Sequence, residues 1–232
     1  MKMRFLEMRK KGYLLLKGKG IEIGAFEHPS IIPNATKLIT CDRLTLENAQ
    51  KLFPEVNCSL MNEPNIILDI DTDGLRIFPN ESIDFVVLNH VIEHLVNPIK
   101  AVKEIFRSLK PNGHFAVSAP DKNYTFDKER PLTRFDDLLQ EYYKNTTEAP
   151  LQKYYPLIQY IHKDLLHAPN QIIEEKLTYF KDRREHLNIW TADSFKSFLL
   201  DSFQLLEITA KCTFEVLPAQ NEFEYFGVWK KC

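Results

Sequence analysis

The sequence lacks several features that would place it in other classes of protein. It has no apolar run approaching the length of a membrane span, and its first residues lack the clean apolar core and cleavage site of a signal peptide. Its four cysteines are scattered without a C-x-x-C pair, which predicts reduced thiols and a cytoplasmic protein. The net charge of −2 argues against a nucleic-acid-binding surface. What remains is the composition of one globular domain over residues 1–232, with 44% hydrophobic and 27% charged residues.

Residues 83–121 predict a strand, a crossover helix and a second strand. The first six form a short apolar run rich in β-branched and aromatic residues, which is typical of a buried strand. Apolar residues then recur every three or four positions over residues 99–109, which predicts one buried face of a helix. A second apolar strand follows over residues 114–119. Strands joined in this way pair in parallel, so their ligand-binding edge lies beyond their carboxyl ends.

The remaining chain predicts an α/β fold built around this unit. The amphipathic residues 1–16 predict a helix that covers one end of the sheet, with a membrane-surface helix as the alternative. Helices are also predicted over residues 46–53 and 194–200. Five further strands are predicted over residues 21–24, 38–41, 66–70, 203–209 and 224–229. The expected sheet is therefore seven-stranded and mostly parallel, with helices on both faces and an antiparallel member among the late strands.

Four of the predicted strands end in a glycine or a polar residue: Gly24, Asp42, Asp71 or Asp73, and Asn89. A glycine at such a position lets a ligand approach the backbone closely. Asp42 lies 18 positions after Gly24, near the spacing at which a carboxylate holds a ribose diol in such folds. The dinucleotide pattern G-x-G-x-x-G is absent, which argues against a nicotinamide or flavin enzyme.

Together these features resemble the class I S-adenosylmethionine-dependent methyltransferases. In that family an acidic-aromatic strand, here residues 84–87, leads to a Val-x-Glu-His turn, here residues 91–94. The following helix ends in Arg-x-Leu-Lys-Pro-Gly-Gly, which residues 107–113 match with asparagine in place of the first glycine. The resemblance covers residues 20–121. A subgroup associated with surface-glycan assembly also shares Pro-Asp-Lys-x-Tyr-x-Phe-Asp-x-x-Arg-Pro-Leu-Thr, here residues 120–133.

The resemblance implies a Rossmann-like fold and S-adenosylmethionine as the cofactor. In the family's pattern, the residue at the position of Asp42 holds the ribose, and the loop after the first strand meets the methionine part of the cofactor. The loop of this chain departs from the family because Phe26 stands where further glycines are usual, and its bulk narrows the loop. The residues expected to contact the cofactor are Glu22, Gly24, Ala25, Phe26, Asp42, Arg43, Asp71, Asp73, Asn89 and His90.

Residues 123–190 form an insertion after the fifth strand. Because loops at the carboxyl edge of a sheet carry specificity, we expect this insertion to be a lid that shapes the acceptor pocket. A helical hairpin that only covers the sheet is the alternative. The residues expected to contact the acceptor are Tyr124, Asp127, Arg130 and Trp190. The resemblance implies a small-molecule or glycan acceptor, and the sequence leaves the oligomeric state open.

The implied reaction moves the methyl group of S-adenosylmethionine to an oxygen or a nitrogen of the acceptor by in-line displacement. The leaving group is already activated, so the protein mainly supplies positioning and exclusion of water. A hydroxyl acceptor also needs a general base, for which His90, Asp121 and His186 are the candidates. A neutral amine needs none.

Two rival interpretations stay open. Residues 90–94 match H-x-x-E-H, the inverted zinc-peptidase motif, which predicts a zinc hydrolase if these residues form a regular helix. His90 directly follows a strand, where regular helical spacing of the two histidines is unreliable, so we expect no metal at this motif. The altered glycine loop favours a second alternative, a non-catalytic domain that binds the cofactor or a partner.

Overall fold

The computed structural model describes residues 4–25, 29–56 and 61–232. Its described strands are β1 (Lys17–Ile23), β2 (Asn34–Asp42), β3 (Ile66–Ile67), β4 (Ile83–Asn89), β5 (Leu109–Pro120), β6 (Ala210–Val216) and β7 (Glu224–Lys231). These seven form one sheet in the order β3-β2-β1-β4-β5-β7-β6. Strands β1 to β5 pair in parallel, and β7 is antiparallel to its neighbours β5 and β6. The predicted fold class is confirmed.

Helices pack on both faces of the sheet. The described α-helices are α1 (Arg4–Tyr13), α2 (Leu46–Leu52), α3 (Pro98–Ser108), α4 (Phe135–Tyr143), α5 (Tyr155–Tyr160), α6 (Asn170–Arg183), α7 (Ala192–Leu205) and α8 (Pro218–Asn221). On one face, α3 and α7 bury Val102 and Leu199 in the same apolar cluster as Val86. On the other face, α1 buries Tyr13 in a cluster with Phe226. The described part of the connection between β1 and β2 contains no helix.

The central unit of β4, α3 and β5 explains why its sequence is so apolar. Side chains of β4 alternate between the two faces, with Val86 and Leu88 in one cluster and Phe85 and Val87 in the other. Both faces are therefore covered, which is the environment in which parallel strands read as continuous apolar runs. Each such side chain contributes about 1.5–3 kcal/mol by leaving water. The helix begins at a cap formed by the side chain of Asn97, so the polar edge just before it is held in place.

The prediction of a strand over residues 203–209 is wrong. Helix α7 continues to Leu205, and β6 begins only at Ala210. Phe203 lies four residues after Leu199, and both pack in the core cluster that α7 buries, so helical spacing outweighs the local β-like composition. The hydroxyl of Ser202 donates to the carbonyl of Phe198 at 2.7 Å within the same helix.

Helix α1 covers one end of the sheet, as the sequence predicts. Its Arg9 is only 4% exposed and its guanidinium pairs with Glu224 of β7, where the Nε to Oε1 distance is 2.7 Å. The same guanidinium donates to the hydroxyl of Ser118 on β5 at 2.9 Å. The first helix is therefore joined to β5 and β7 through buried polar groups. Among the described helices, none combines the length and the apolarity needed to cross a membrane.

The insertion over residues 123–190 contains α4, α5 and α6 with several short 3-10 helices. Helices α5 and α6 share an apolar cluster that is separate from the two sheet clusters, whereas α4 buries Leu138 in the sheet cluster that contains Val86. The buried members of that cluster are Val96, Ala149, Tyr154, Leu157, Ile158, Leu177 and Phe180. At its end, the side chain of Asn188 donates to the carbonyl of Leu95 at 2.7 Å, which ties the insertion to the turn after β4.

Candidate active site

A cavity of about 290 Å³ lies at the carboxyl ends of β1, β2 and β4. Gly24, Asp42 and His90 line it from the strand ends, and residues 183–185 at the end of α6 line it from the insertion. This is the edge at which open α/β sheets bind ligands, and the volume is near the lower end for small-molecule sites. Four of the ten predicted cofactor residues line this cavity: Gly24, Asp42, Arg43 and His90.

Gly24 occupies a conformation that suits glycine. Its φ is +77°, and a Cβ built there would lie 2.3 Å from Cγ2 of Val91. Its backbone N–H donates to the carbonyl of Cys41 at 2.9 Å, which fixes the turn at the cavity wall. Ala25 lines a smaller neighbouring cavity, and Phe26 lies outside the described residues.

Replacing Gly24 with alanine is expected to lower the free energy of unfolding by at least about 1 kcal/mol. The left-handed conformation alone costs a residue with a Cβ about 1–2 kcal/mol, and the contact with Val91 adds to this. Denaturant unfolding of the two proteins measures the difference. The double variant Gly24→Ala with Val91→Ala is the control. It removes the contact between the new Cβ and Cγ2 of Val91, so it should recover the part of the loss due to that contact and not the part due to the backbone conformation.

Asp42 presents a buried carboxylate to the cavity. It is 8% exposed, and its Oδ1 accepts the backbone N–H of Leu44 at 3.1 Å. Burial raises the pKa of Asp42 to about 6, because the charged form loses water, although the hydrogen bond from Leu44 and the nearby Arg43 oppose the rise. The carboxylate thus has few hydrogen-bond donors among the described residues.

Glu22 and Asn89 hold the loop after β1 and do not line the cavity. The carboxylate of Glu22 accepts the backbone N–H of Ser30 at 2.9 and 3.1 Å. The amide of Asn89 donates to the hydroxyl of Tyr13 at 2.8 Å and to that of Ser30 at 3.3 Å. These two predicted cofactor residues therefore bind protein groups in this structure.

Of the three aspartates that follow β3, Asp69 lines the cavity, whereas the predicted Asp71 and Asp73 do not. Asp71 is buried and accepts the backbone N–H groups of Val96 and Asn97 at 3.1 and 3.0 Å. Asp73 accepts the backbone N–H of Asp69 at 2.9 Å. Asp69, which was not predicted, lines the cavity instead. Its carboxylate pairs with Arg184, whose Nη1 lies 3.0 Å from Oδ1.

His90 is held by two carboxylates. Its backbone φ is +52°, its Nε2 lies 2.5 Å from Oε2 of Glu224, and its Nδ1 lies 3.3 Å from Oε1 of Glu93. Burial by itself would lower the pKa of His90, but the hydrogen bond to Glu224 and the nearby Glu93 outweigh it and raise the pKa to about 9. A histidine that is protonated at neutral pH has no lone pair with which to accept a proton, which argues against His90 as the base.

Glu93 lies at the centre of the turn after β4. It is 0% exposed, and neither carboxylate oxygen accepts a hydrogen bond of ordinary geometry from a described residue. Burial would raise the pKa of Glu93, but the charge of His90 and the nearby His94 lower it to about 2. Residues Ile92–His94 form a 3-10 turn, so the H-x-x-E-H residues do not lie on a regular helix, as expected from the sequence.

Asp121 and Trp190 serve the framework of the site. The carboxylate of Asp121 accepts the backbone N–H groups of Asn123 and Ala192, both at 2.8 Å. Trp190 is 2% exposed and packs against Phe195. Neither residue lines the cavity, so the side chains of this predicted base and this predicted acceptor contact are occupied by structural interactions.

The other predicted acceptor contacts divide between the interior and the surface. Asp127 and Arg130 form a buried pair at 2.7 Å, and Oδ2 of Asp127 lies 2.6 Å from Nδ1 of His186. A second nitrogen of Arg130 donates to the carbonyl of His186 at 2.9 Å. Tyr124 is 45% exposed. Asp127, Arg130 and the candidate base His186 therefore form one group, and Tyr124 lies apart from them at the surface.

Sequence reasoning missed the contribution of α6 to the cavity. Arg184 has a φ of 51° at the end of the helix and reaches Asp69 and Asp71, while Arg183 donates to the carbonyl of Leu52 at 2.7 Å. Arg183 also lies over the ring of Phe53 at 4.3 Å. No local pattern marks these residues, because they reach the cavity only through the packing of the insertion.

Comparisons with known proteins agree with the fold and identify the family. The methyltransferase domain family matches residues 7–202 of this chain. A curated relative from Mycolicibacterium smegmatis, named Probable S-adenosylmethionine-dependent methyltransferase, is 41% identical over 95 residues. That alignment covers 40% of this chain and 33% of the relative, so it spans about a third of the relative's length.

Solved structures also align with nearly the whole chain. A protein described as a zinc-dependent alcohol dehydrogenase from Rhodobacter sphaeroides aligns with a TM-score of 0.55 and 12% identity, over 96% of this chain and 88% of that one. The N-methyltransferase NodS from Bradyrhizobium japonicum, in complex with S-adenosyl-L-homocysteine, aligns with a TM-score of 0.48 and 12% identity, over 98% and 86%. At such identities the first of these shows the fold alone. The family match covers most of the sequence, so this chain belongs to the methyltransferase domain family, and its resemblance to the class I S-adenosylmethionine-dependent enzymes is confirmed.

Proposed function

We propose that the protein transfers the methyl group of S-adenosylmethionine to an oxygen or a nitrogen of a small-molecule or glycan acceptor. The observation that carries the proposal is the buried carboxylate of Asp42 on the wall of a cavity shared with Gly24. A buried carboxylate with few hydrogen-bond donors lowers the stability of the fold. The two hydroxyls of a ribose would supply donors to it, so the residues present fit the cofactor that the family uses.

The insertion supports the lid interpretation over that of a hairpin that only covers the sheet. Residues 183–185 line the cavity, and Arg184 joins the insertion to Asp69 on the opposite wall. A segment in this position excludes water from a bound cofactor and borders the place where an acceptor would approach. The remaining insertion residues would then shape the acceptor pocket.

His186 is the strongest of the three candidate bases for a hydroxyl acceptor. His90 is protonated at neutral pH, and Asp121 is engaged by two backbone N–H groups. The ring of His186 is oriented by the buried carboxylate of Asp127 through Nδ1, which leaves Nε2 to face other groups. This is the histidine and carboxylate arrangement that general bases use.

The two rival functions are less well supported. A zinc hydrolase of the H-x-x-E-H type needs both histidines on one helical face, whereas His90 is bound to Glu224 and precedes a 3-10 turn. A non-catalytic domain would still keep the cavity. It is distinguished from the proposed enzyme by turnover, since only an enzyme converts the cofactor to S-adenosylhomocysteine when an acceptor is present.

Titration calorimetry with S-adenosylhomocysteine tests the cofactor half of the proposal. We expect one site with micromolar affinity, which corresponds to about 8 kcal/mol. NADH is the control ligand, because the structural likeness includes a dehydrogenase, and it should not bind. Acceptors, beginning with sugars, are then screened by measuring the formation of S-adenosylhomocysteine. Binding of NADH with none of S-adenosylhomocysteine would contradict the proposed function.

A further inference from the structure

Three side chains with metal-ligand chemistry converge beside the cavity. Glu93, His94 and His186 each offer one ligand atom, and these atoms lie within 4.8 Å of one another. The rings of His94 and His186 meet edge to face with their centres 4.7 Å apart. Nε2 of His94 lies 3.8 Å from Oε1 of Glu93. The three come from the turn after β4 and from the end of the insertion, so folding of the whole domain is needed to bring them together.

The outer nitrogen of each histidine is bound in the way that metal-ligating histidines require. Nδ1 of His94 lies 2.5 Å from the carbonyl oxygen of Arg184, which only accepts, so this nitrogen carries a hydrogen. Nδ1 of His186 lies 2.6 Å from the carboxylate of Asp127 and is likewise the donor. In the neutral rings Nε2 then keeps its lone pair. Such outer partners fix the tautomer and the orientation of metal-binding histidines.

Asp127 is itself held by a second shell of contacts. Its other oxygen accepts from Arg130 at 2.7 Å, and both side chains are about 2% exposed. Arg130 also donates to the carbonyl of His186 at 2.9 Å. His186 is thus fixed through its ring and its backbone, so the fold sets the position of its Nε2. With a metal bound there, this nitrogen would have no lone pair left to act as a base.

Glu93 supplies an independent indication of a ligand. Its carboxylate is fully buried and accepts no hydrogen bond of ordinary geometry from a described residue, although His90 lies 3.3 Å away as an ion-pair partner. A buried carboxylate is costly unless it is paired and hydrogen-bonded or coordinates a metal. An incoming cation would satisfy an oxygen that His90 leaves without a hydrogen bond.

From this geometry we propose that Glu93, His94 and His186 form a binding site for a divalent transition-metal ion, of which Zn²⁺ fits the donors best. Two imidazole nitrogens and one carboxylate oxygen are a donor set that zinc uses when a fourth position stays open. Ligand atoms of a tetrahedral zinc site lie about 3.4 Å apart, since each bond is about 2.0–2.1 Å long. The His94–Glu93 distance of 3.8 Å is near that value, and the three ligand atoms, which lie within 4.8 Å of one another, would have to move closer together around an ion.

The proposed site differs from the one that the sequence motif H-x-x-E-H predicts. That motif makes His90 a ligand and Glu93 a base. In the structure His90 is engaged by Glu224, and the second imidazole comes from His186, some ninety residues further along the chain. His94 also lines the cofactor cavity, so an ion here would have its open position available to an acceptor oxygen. This last role rests on the proposed methyl transfer, whereas the metal site itself does not.

Direct metal binding tests the proposal. The full-length protein, freed of metal by a chelator, is titrated with Zn²⁺ in competition with a fluorescent indicator, and bound metal is quantified. We expect one equivalent to bind in wild type. His186→Ala should weaken binding by at least about 100-fold, and Asp127→Asn by about 10–100-fold because it only orients the ring. His167→Ala, which removes an exposed histidine outside the cluster, is the matched control and should bind as wild type does.

Co²⁺ provides a readout that does not depend on the variants folding. Wild-type protein loaded with Co²⁺ should show the intense visible absorption of a four- or five-coordinate ion, and Zn²⁺ should displace it. Substoichiometric zinc binding by wild type, or equal binding by a folded His186→Ala variant, would overturn the metal site. S-adenosylhomocysteine binding is measured on the same metal-free sample. A failure of zinc binding would therefore be distinguished from a failure of cofactor binding.

Discussion

Replacing Asp42 with asparagine is expected to weaken the binding of S-adenosylhomocysteine by at least about tenfold and to stabilise the empty protein at pH 8. Hydrogen bonds to a charged group contribute about 1.5–3 kcal/mol each, and the ribose diol would lose this charge assistance. The empty protein gains because it no longer buries a carboxylate at 8% exposure, while asparagine keeps an oxygen for the N–H of Leu44. The same residue thus costs stability and supports binding.

The stability gain of Asp42→Asn should depend on pH in a defined direction. Burial raises the pKa of Asp42 from 3.8 to about 6, so the folded protein holds this proton more tightly than the unfolded chain does. The favourable contribution of the protonated group is fully present below pH 3.8 and is lost as the pH rises through about 6. The wild-type protein is therefore penalised above that window, by up to about 3 kcal/mol for two pKa units.

Denaturant unfolding of both proteins at pH 4 and pH 8, with calorimetric titration at pH 8, measures both effects. The variant should be clearly more stable at pH 8 and nearly equal to wild type at pH 4. Asp73→Asn is the matched control, because Asp73 is exposed and lies off the cavity. Unchanged affinity in Asp42→Asn would remove Asp42 from the ribose site, and a gain that is equal at both pH values would contradict the burial argument.

Replacing Arg9 with alanine is expected to lower the free energy of unfolding by about 3 kcal/mol or more. The guanidinium is buried and makes contacts with Glu224 and Ser118, so its loss leaves part of a fully buried carboxylate without its partner. Breaking a buried pair by removing one member costs about 3–5 kcal/mol. His90 stays within 2.5 Å of Glu224, which places the expected loss at the lower end of that range.

Lys10→Ala on the same helix provides the comparison for Arg9. Lys10 pairs with Glu7 at 2.7 Å, but both side chains are more than half exposed, so its removal should leave stability almost unchanged. The double variant Arg9→Ala with Glu224→Gln should be more stable than Arg9→Ala alone, because it removes the carboxylate that Arg9 leaves without its partner, while His90 keeps Glu93 as an ion-pair partner. A loss below about 1 kcal/mol in Arg9→Ala would show that His90 alone neutralises Glu224.

The sequence predicted the sheet well because its central strands are apolar on both faces. The alternation of Phe85 and Val87 with Val86 and Leu88 is local information, and the cap at Asn97 is local as well. The prediction of a strand over residues 203–209 was wrong because these side chains suit either a strand or a helix, and only packing against the core decides between the two.

The candidate site was predictable only where a residue follows its strand directly. Gly24, Asp42 and His90 lie on the cavity because each ends or follows a strand of a parallel sheet. Asp71 and Asp69 are two residues apart, and the sequence does not say which of them faces the cavity. In the structure Asp71 is held by the backbone N–H groups of Val96 and Asn97, and Asp69 lines the cavity instead. Arg184 and Glu224 lie far along the chain from Asp69 and His90, which they bind, so no spacing rule connects them to the site.

The link between Arg9 and Glu224 also bears on how the chain matures during synthesis. The two residues are separated by 215 positions, which a ribosome covers in roughly 10–40 s at about 5–20 residues per second. Throughout that interval the cation of the first helix lacks its carboxylate, and His90 lacks the same partner over the 134 positions that separate it from Glu224. The strands that carry Gly24 and Asp42 are made early, yet the buried network beside them is completed only when the last strand arrives. The nascent chain therefore contains the strands that end at the cavity before it contains the carboxylate that completes the buried network.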